Sequence, residues 1–220
     1  MDTIPAPLNE QSYKDYSDLC NMGRREVMSY IKNTNDQLEK LMGRRLCTNI
    51  TCRMKSYDRA IGKLERKNYP VTLEGLKTKI FDVAGCKIVT LFKDDIYVFR
   101  DVLVNHPKME LIEEIDYVKD PKSNGYRSLH LIVSVQIPIL LENFQTQTKS
   151  VPVEIQIRSQ GMELWGEVEH YLCYANDNPN ANAPEELKPI ADYIDKSDDL
   201  AVRLRKNEPK KKSTKSKKTN

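Results

Sequence analysis

Two stretches of this chain alternate in side-chain character with a period of two: residues 126–137, YRSLHLIVSVQI, and residues 151–159, VPVEIQIRS. That is the pattern of pleated strands, whose successive side chains point to opposite faces. In the first run Tyr126, Ser128 and His130 fall on one face and Arg127, Leu129 and Leu131 on the other. Asn124-Gly125 just ahead of it is a turn signal, because Gly takes positive φ freely and Asn tolerates it. In the second run Glu154, Gln156 and Arg158 alternate with Val153, Ile155 and Ile157. If the two strands are neighbours, one sheet face carries Tyr, Ser, His, Glu, Gln and Arg. A solvated face of an antiparallel sheet would look the same. An aromatic ring that can stack a base, beside groups that can hold a phosphate, also suits the floor of a nucleotide site.

The remaining elements follow by pattern. CKIVTLF (86–92) and MELIEEIDYV (109–118) read as strands, with DDIYVFRDVLVNH between them as a helix. Residues 12–46 space Leu19, Met22, Val27, Tyr30, Ile31, Leu38 and Leu41 as a helix does. CRMKSYDRAIGKLERKN (52–68) reads as an amphipathic helix ended by Asn68 and Pro70. TLEGLKTKIFDVAG (72–85) reads as another, with Thr72 as N-cap and Gly85 as stop. GMELWGEVEHYLCY and PEELKPIADYIDKSDDLAVRLRK complete a helical C-terminal part. The fold class is α+β, a mixed β-sheet of about four to five strands flanked by helices.

With 220 residues, 39% of them hydrophobic, the chain can bury one sizeable core. No basic region followed by an apolar stretch opens it, and its most apolar run, 131–141, is too short to span a bilayer. A cytoplasmic protein with no membrane partner is expected. The five cysteines lack a second Cys or His pair at zinc-site spacing and read as ordinary thiols. The net charge is only +3, yet the chain ends in RKNEPKKKSTKSKKTN. Such a segment cannot offset its ordering entropy by apolar burial and is expected to be disordered. It serves either solubility or a loose electrostatic hold on nucleic acid.

Two constellations carry chemistry. Lys55, Arg59, Lys63 and Arg66 follow one another at spacings of four, four and three, a single stripe on a helix. Like charges stacked in this way repel unless a polyanion lies against them, although a solvated face carries such rows too. Asp82 and Glu154 come from separate elements and cannot cage a metal alone. They suit Mg²⁺, which keeps waters and takes substrate phosphates as its other ligands. Two ordinary ion pairs are the alternative.

The blocks RMKSYDRAIGKLERK, DVAGCKIV, DYVKDPKSNGYRSLHLIV and VEIQIRSQGMELWGEVEHYLCY, in this order, resemble the synthetase domain of RelA/SpoT proteins, specifically the small single-domain alarmone synthetases with their nucleotidyltransferase-like fold. The resemblance covers about residues 48–175. It divides the chain into an N-terminal helical segment (1–47), the synthetase, or pyrophosphokinase, domain (48–175), a C-terminal helical segment (176–206) and a Lys-rich tail (207–220). It implies transfer of the β,γ-pyrophosphate of ATP to a ribose 3′-hydroxyl with Mg²⁺ as cofactor. The acceptor is GDP or GTP in the alarmone makers of the stringent response, and the 3′ CCA end of tRNA in a toxic branch, which would bring an antitoxin protein as partner. Carried over by position, it implies that Arg53 stacks on adenine, with Lys87 at the second stacking position, while Lys55, Arg59, Lys63 and Arg66 lie along the ATP phosphates. Asp82 and Glu154 would bind Mg²⁺, Glu154 also helping to deprotonate the attacking hydroxyl. Tyr126 would stack the acceptor base, and Lys122, His130, Gln156 and Arg158 would line the acceptor side.

The sequence departs from the family pattern in places. Arg59 stands where Ser is usual, and Lys87 replaces an Arg whose planar guanidinium would stack better. Ile115 replaces a common basic residue on the acceptor side, Glu163 an Asp or Asn, and the C-terminal helix looks cut short. With the donor half largely intact and a cation lost at Ile115, an active pyrophosphokinase is expected, with tRNA narrowly ahead of GDP or GTP as acceptor. Arg24, Arg25, Arg44, Arg45 and the terminal lysines would supply the basic surface. A non-catalytic RNA-binding protein that keeps only the fold is the rival. The joint presence of Asp82, Glu154, Tyr126 and Lys63 argues against it.

Overall fold

The computed structural model describes residues 6–173 and 183–207. The chain opens with α1 (Glu10–Met42), whose start is fixed reciprocally by Asn9 and Ser12 and whose end is the left-handed Gly43. Its buried stripe runs through Tyr16, Cys20, Gly23, Val27, Ile31, Thr34 and Leu38, three or four residues apart. Gly23 lets this helix lie close on the sheet, since a Cβ there would meet Val151 at 3.0 Å.

The sheet holds five strands among the described residues: β1 (Cys47–Met54), β2 (Ala84–Thr90), β3 (Met109–Asp116), β4 (Leu129–Leu140) and β5 (Thr146–Ser159). Their order is β1-β2-β5-β4-β3. β2 and β5 run parallel, and the other neighbours antiparallel. One face packs under α1, where Ile88, Val133, Val153, Ile155 and Ile31 are buried in one apolar cluster. Between the strands lie α2 (Tyr57–Arg66), α3 (Leu73–Lys79) and α4 (Asp95–Val104). α5 (Gln160–Cys173) and α6 (Ala183–Lys206) follow. They meet in a second small core of Trp165, Leu187 and Ala191, with Trp165 Nε1 donating to the Leu187 carbonyl at 2.8 Å.

Several expectations need correction. Residues 52–68 are not one helix: Arg53 belongs to edge strand β1, and helix starts only at Tyr57, after Ser56 caps it. Lys55 therefore precedes the helix, its N–H bonded to the Val83 carbonyl at 2.8 Å. Alternating exposure along β1 is the signature that a helical reading of its charges concealed. Helix α3 is capped by Thr72 as expected but ends at Lys79, and Gly85 lies inside β2. β4 begins at Leu129, so Tyr126 sits in the preceding loop, where Gly125 at φ 93 turns the chain beneath α6. Cys52 and Cys86, expected as separate thiols, oppose each other in the β1–β2 register and form a disulfide, while Cys20, Cys47 and Cys173 are free. The helix expected over 184–206 is α6, with 24 residues. The Lys-rich tail beyond Asn207 lies outside the described residues. Among those residues no helix is long and apolar enough to cross a membrane.

Candidate active site

The face of the sheet opposite α1 carries two rows of side chains set by register. Across β1, β2 and β5 the first row is Arg53, Gly85, Glu154, and the second is Thr51, Lys87, Gln156. The second row continues on β4 with His130. Thr51, Arg53, Gly85, Lys87, Glu154 and Gln156 form the floor of a cavity of about 270 Å³, which Tyr126, Arg158 and α5 also line. Gly85 keeps the floor open between Arg53 and Glu154: a Cβ there would touch nothing within 4 Å and would only project into the space.

At one end stands Asp82, in the turn between α3 and β2. Lys55 Nζ lies 3.0 Å and Lys63 Nζ 2.8 Å from its Oδ2. Its Oδ1 is buried with no partner. Burial alone would raise this carboxyl, but the two lysines outweigh burial and hold it below the ordinary carboxylate range. Arg59 and Arg66 share the α2 stripe with Lys63 but are exposed.

In the middle lies Glu154, both of whose oxygens are occupied. His130 Nδ1 is 3.1 Å from Oε1, and Gln156 Nε2 donates to Oε2 at 2.8 Å. Burial raises its carboxyl and His130 outweighs that, while the charge of Asp82 pushes back upward; the net is a lowered carboxyl. The Tyr126 hydroxyl is 2.8 Å from His130 Nε2, so the roughly 13 Å separation expected of one strand face gives way to direct contact. The loop beginning at Pro121 folds the tyrosine back over the strand. Arg158 Nη2 donates both to the Tyr126 hydroxyl at 2.7 Å and to Gln156 Oε1 at 2.8 Å.

The far wall is α5. Lys87 pairs with Glu163, and Arg158 reaches the other oxygen of that carboxylate at 3.4 Å. A Cβ on Gly166 would come within 2.8 Å of Arg158 Nη1, so a glycine lets the helix pass over the arginine. Lys122 Nζ sits between the Tyr117 and Tyr126 rings, 4.7 and 4.6 Å from their centroids. Asn124 donates to Glu169 at 2.6 Å, and burial pushes the Glu169 carboxyl up.

The structure thus gathers Lys55, Lys63 and Asp82 in one group and Tyr126, His130, Glu154, Gln156 and Arg158 in another. Lys87 and Arg53 lie on the same floor. Sequence reading missed the α5 wall, where Glu167, Glu169 and His170 line the cavity. Its trace was there: Glu163, Gly166, Glu167 and His170 share one helical face, with a glycine in mid-helix that only a close approach explains. Of the basic residues proposed for a nucleic-acid surface, Arg44 is spent on a two-pronged pair with the buried Asp95, and Arg45 on the Cys47 and Thr48 carbonyls.

A family signature described as the region found in RelA / SpoT proteins matches residues 52–179. The chain belongs to the RelA/SpoT family. It is 39% identical over 147 residues to the GTP pyrophosphokinase YwaC of Bacillus subtilis, spanning 65% of this chain and 68% of that protein. Over 139 residues it is 33% identical to the GTP pyrophosphokinase YjbM of the same organism, spanning 63% of this chain and 61% of that one. The crystal structure of small alarmone synthetase 1 from Bacillus subtilis bound to its product pppGpp matches with a TM-score of 0.77 at 25% identity, covering 90% of this chain and 98% of that one. Small alarmone synthetase 2 from the same organism matches at 0.74 with 29% identity, covering 88% and 98% of the two chains. The RelA/SpoT fold is therefore present from α1 through α6.

Proposed function

We propose that this chain, a pyrophosphokinase, transfers the β,γ-pyrophosphate of ATP to the 3′-hydroxyl of GDP or GTP. The observation that carries this reading is one arrangement of charge: two lysines hold a half-satisfied Asp82 whose charge is felt by Glu154, a doubly hydrogen-bonded carboxylate on the sheet face. The curated relatives are GTP pyrophosphokinases, and a structural relative holds pppGpp. This ordering reverses the narrow preference for tRNA drawn from Ile115. Of the cations expected to hold tRNA, Arg44 and Arg45 are tied to protein acceptors.

Donor binding falls to the β1–α2 end. Lys55 and Lys63 offset the phosphate charge there, Arg59 and Arg66 extend the cationic edge, and Arg53 and Lys87 flank the adenine. Tyr126 and Lys122 flank the acceptor base, with Gln156 and Arg158 behind them. Glu154, kept ionised by its two hydrogen bonds, accepts the proton of the 3′-hydroxyl as its oxygen bonds to the β-phosphorus and the α–β bridging oxygen leaves with AMP.

Asp82 and Glu154 fit a divalent cation: Asp82 offers a buried, unpartnered oxygen beside a second carboxylate. Among the described residues there is no cluster of three or more metal-binding side chains. That suits Mg²⁺, which keeps water and phosphate ligands and supplies charge neutralisation where pyrophosphate transfers. Incubation with γ-labelled ATP, Mg²⁺ and GDP or GTP should put label on the guanine nucleotide. Label found only in ATP and its hydrolysis products would contradict the proposal.

A further inference from the structure

We propose that His130 is a positioning residue for Glu154, with its proton on Nδ1 and no hydrogen left for a nucleotide phosphate. The consequence for turnover rests on Glu154 taking the acceptor's proton; the position of the histidine proton does not.

The argument is one of donors and acceptors. A guanidinium only donates, so the Tyr126 hydroxyl, 2.7 Å from Arg158 Nη2, accepts that bond. The phenol must then place its own proton. Ser128 also interacts with the phenol, but its oxygen already takes Arg158 Nε at 3.3 Å and its hydroxyl has the Ile157 and Leu129 carbonyls at 3.4 and 3.5 Å to donate to. The acceptor in reach is His130 Nε2 at 2.8 Å. An Nε2 that accepts carries no hydrogen, and the ring proton lies on Nδ1, facing Glu154 Oε1 at 3.1 Å. That carboxylate independently favours the same tautomer.

The second arm starts from the same arginine. Arg158 Nη2 fixes Gln156 Oε1 as an acceptor at 2.8 Å, which leaves Nε2 to donate to Glu154 Oε2 at 2.8 Å. Five side chains close a ring whose hydrogen-bond directions follow from one donor, and both arms end on the two oxygens of one carboxylate. Arg158 is itself enclosed, its side chain 12% exposed and held to Glu163. The His130 and Glu154 side chains are 12% and 15% exposed, so water competes little for these bonds.

The test separates the two ring nitrogens. Asn places its amide nitrogen near the position of Nδ1, and Gln near that of Nε2. His130→Asn should retain turnover within about tenfold of wild type, while His130→Gln should lose roughly 10–100-fold in kcat, the usual scale for a group that orients a reacting one. The KM for GDP should stay nearly unchanged in both variants. If Gln serves as well as Asn, or if the loss falls on the GDP KM, His130 contacts substrate and the proposal is overturned. Wild-type turnover in both variants also overturns it, whereas Glu154→Gln assayed in parallel decides the reading on which it rests.

Nitrogen-15 spectra of the metal-free protein need no substrate, and the chain has only three histidines to resolve. The signal lost in His130→Asn should show a protonated Nδ1 and an unprotonated Nε2. Tyr126→Phe, which keeps the packing of the ring, should shift the Nε2 signal as its donor disappears. A proton on Nε2 in the wild type, or an Nε2 signal indifferent to Tyr126→Phe, would refute the assignment.

Discussion

Lys63 Nζ lies 2.8 Å from Asp82 Oδ2, and the other oxygen of that carboxylate is buried with no partner. A carboxylate half neutralised by lysine and half unsatisfied is poised for a cation that arrives with phosphate. Asp82→Asn keeps the shape and removes the charge. It should leave the chain folded and lower transfer on the order of 100–1,000-fold, the scale for losing one preorganised electrostatic contact. Steady-state rates at saturating Mg²⁺, read beside the circular dichroism of the variant, check this. Near-normal turnover would remove Asp82 from the site.

Lys63 and Lys67 lie only about one helical turn apart but differ in setting: Lys63 reaches Asp82, whereas Lys67 is exposed at the end of α2. Lys63→Ala should raise the KM for ATP well above that of Lys67→Ala. Equal effects at matched ATP concentrations would mean that the α2 stripe is only a solvated face.

Tyr126 lines the cavity with two cations near its ring, Lys122 at 4.6 Å and Arg158 at 5.1 Å from its centroid. If its ring stacks the acceptor base, Tyr126→Ala should cost about 1–3 kcal/mol of acceptor binding. Calorimetric titration with GDP measures this, and unchanged affinity would exclude stacking.

Asp116 tests the fold away from the chemistry. Its carboxylate accepts from the Val118 and Lys119 backbone N–H groups at 3.0 and 3.1 Å and pairs with Lys119 Nζ at 3.0 Å. Burial raises this carboxyl, but the Lys119 contacts and the Tyr97 hydroxyl outweigh it, and the net is lowered. A folded-state pKa below the unfolded one contributes stability that is present above the unfolded value, near 3.9. That contribution is lost as pH falls through the folded value. Asp116→Asn should therefore destabilise by about 1–3 kcal/mol at neutral pH, with the gap to wild type closing below about pH 4. Denaturant melts across that range would show it, and a gap independent of pH would contradict it.

Strands β4 and β5 were legible because period-two alternation reports one buried face directly, and β2 and β3 were read beside them as strands around a helix. The α+β class followed, and Glu154, Gln156 and His130 could be placed on neighbouring strands. β1 was not legible. Its outward residues are Thr51 and Arg53, and a cation next to the real helix start at Tyr57 blends into a helical charge pattern. With β1 unread, the pairing of Cys52 with Cys86 could not be foreseen, because it depends on β1–β2 register. The Tyr126–His130 contact was missed for another reason: the turn at Gly125 releases the tyrosine from the strand, and local pattern cannot say where a loop folds back. The α5 wall needed tertiary placement, since Glu163 and Glu167 look like any solvated helix face until Lys87 and Arg158 stand opposite them.

The most direct test of the account follows the phosphate. γ-Labelled ATP is given Mg²⁺ and the protein with GDP, with GTP and with tRNA carrying a free 3′ end, first separately and then together. The account predicts label on the guanine nucleotides in every reaction that contains them, and none on tRNA. Label on tRNA, with GDP and GTP left unmodified, would contradict it.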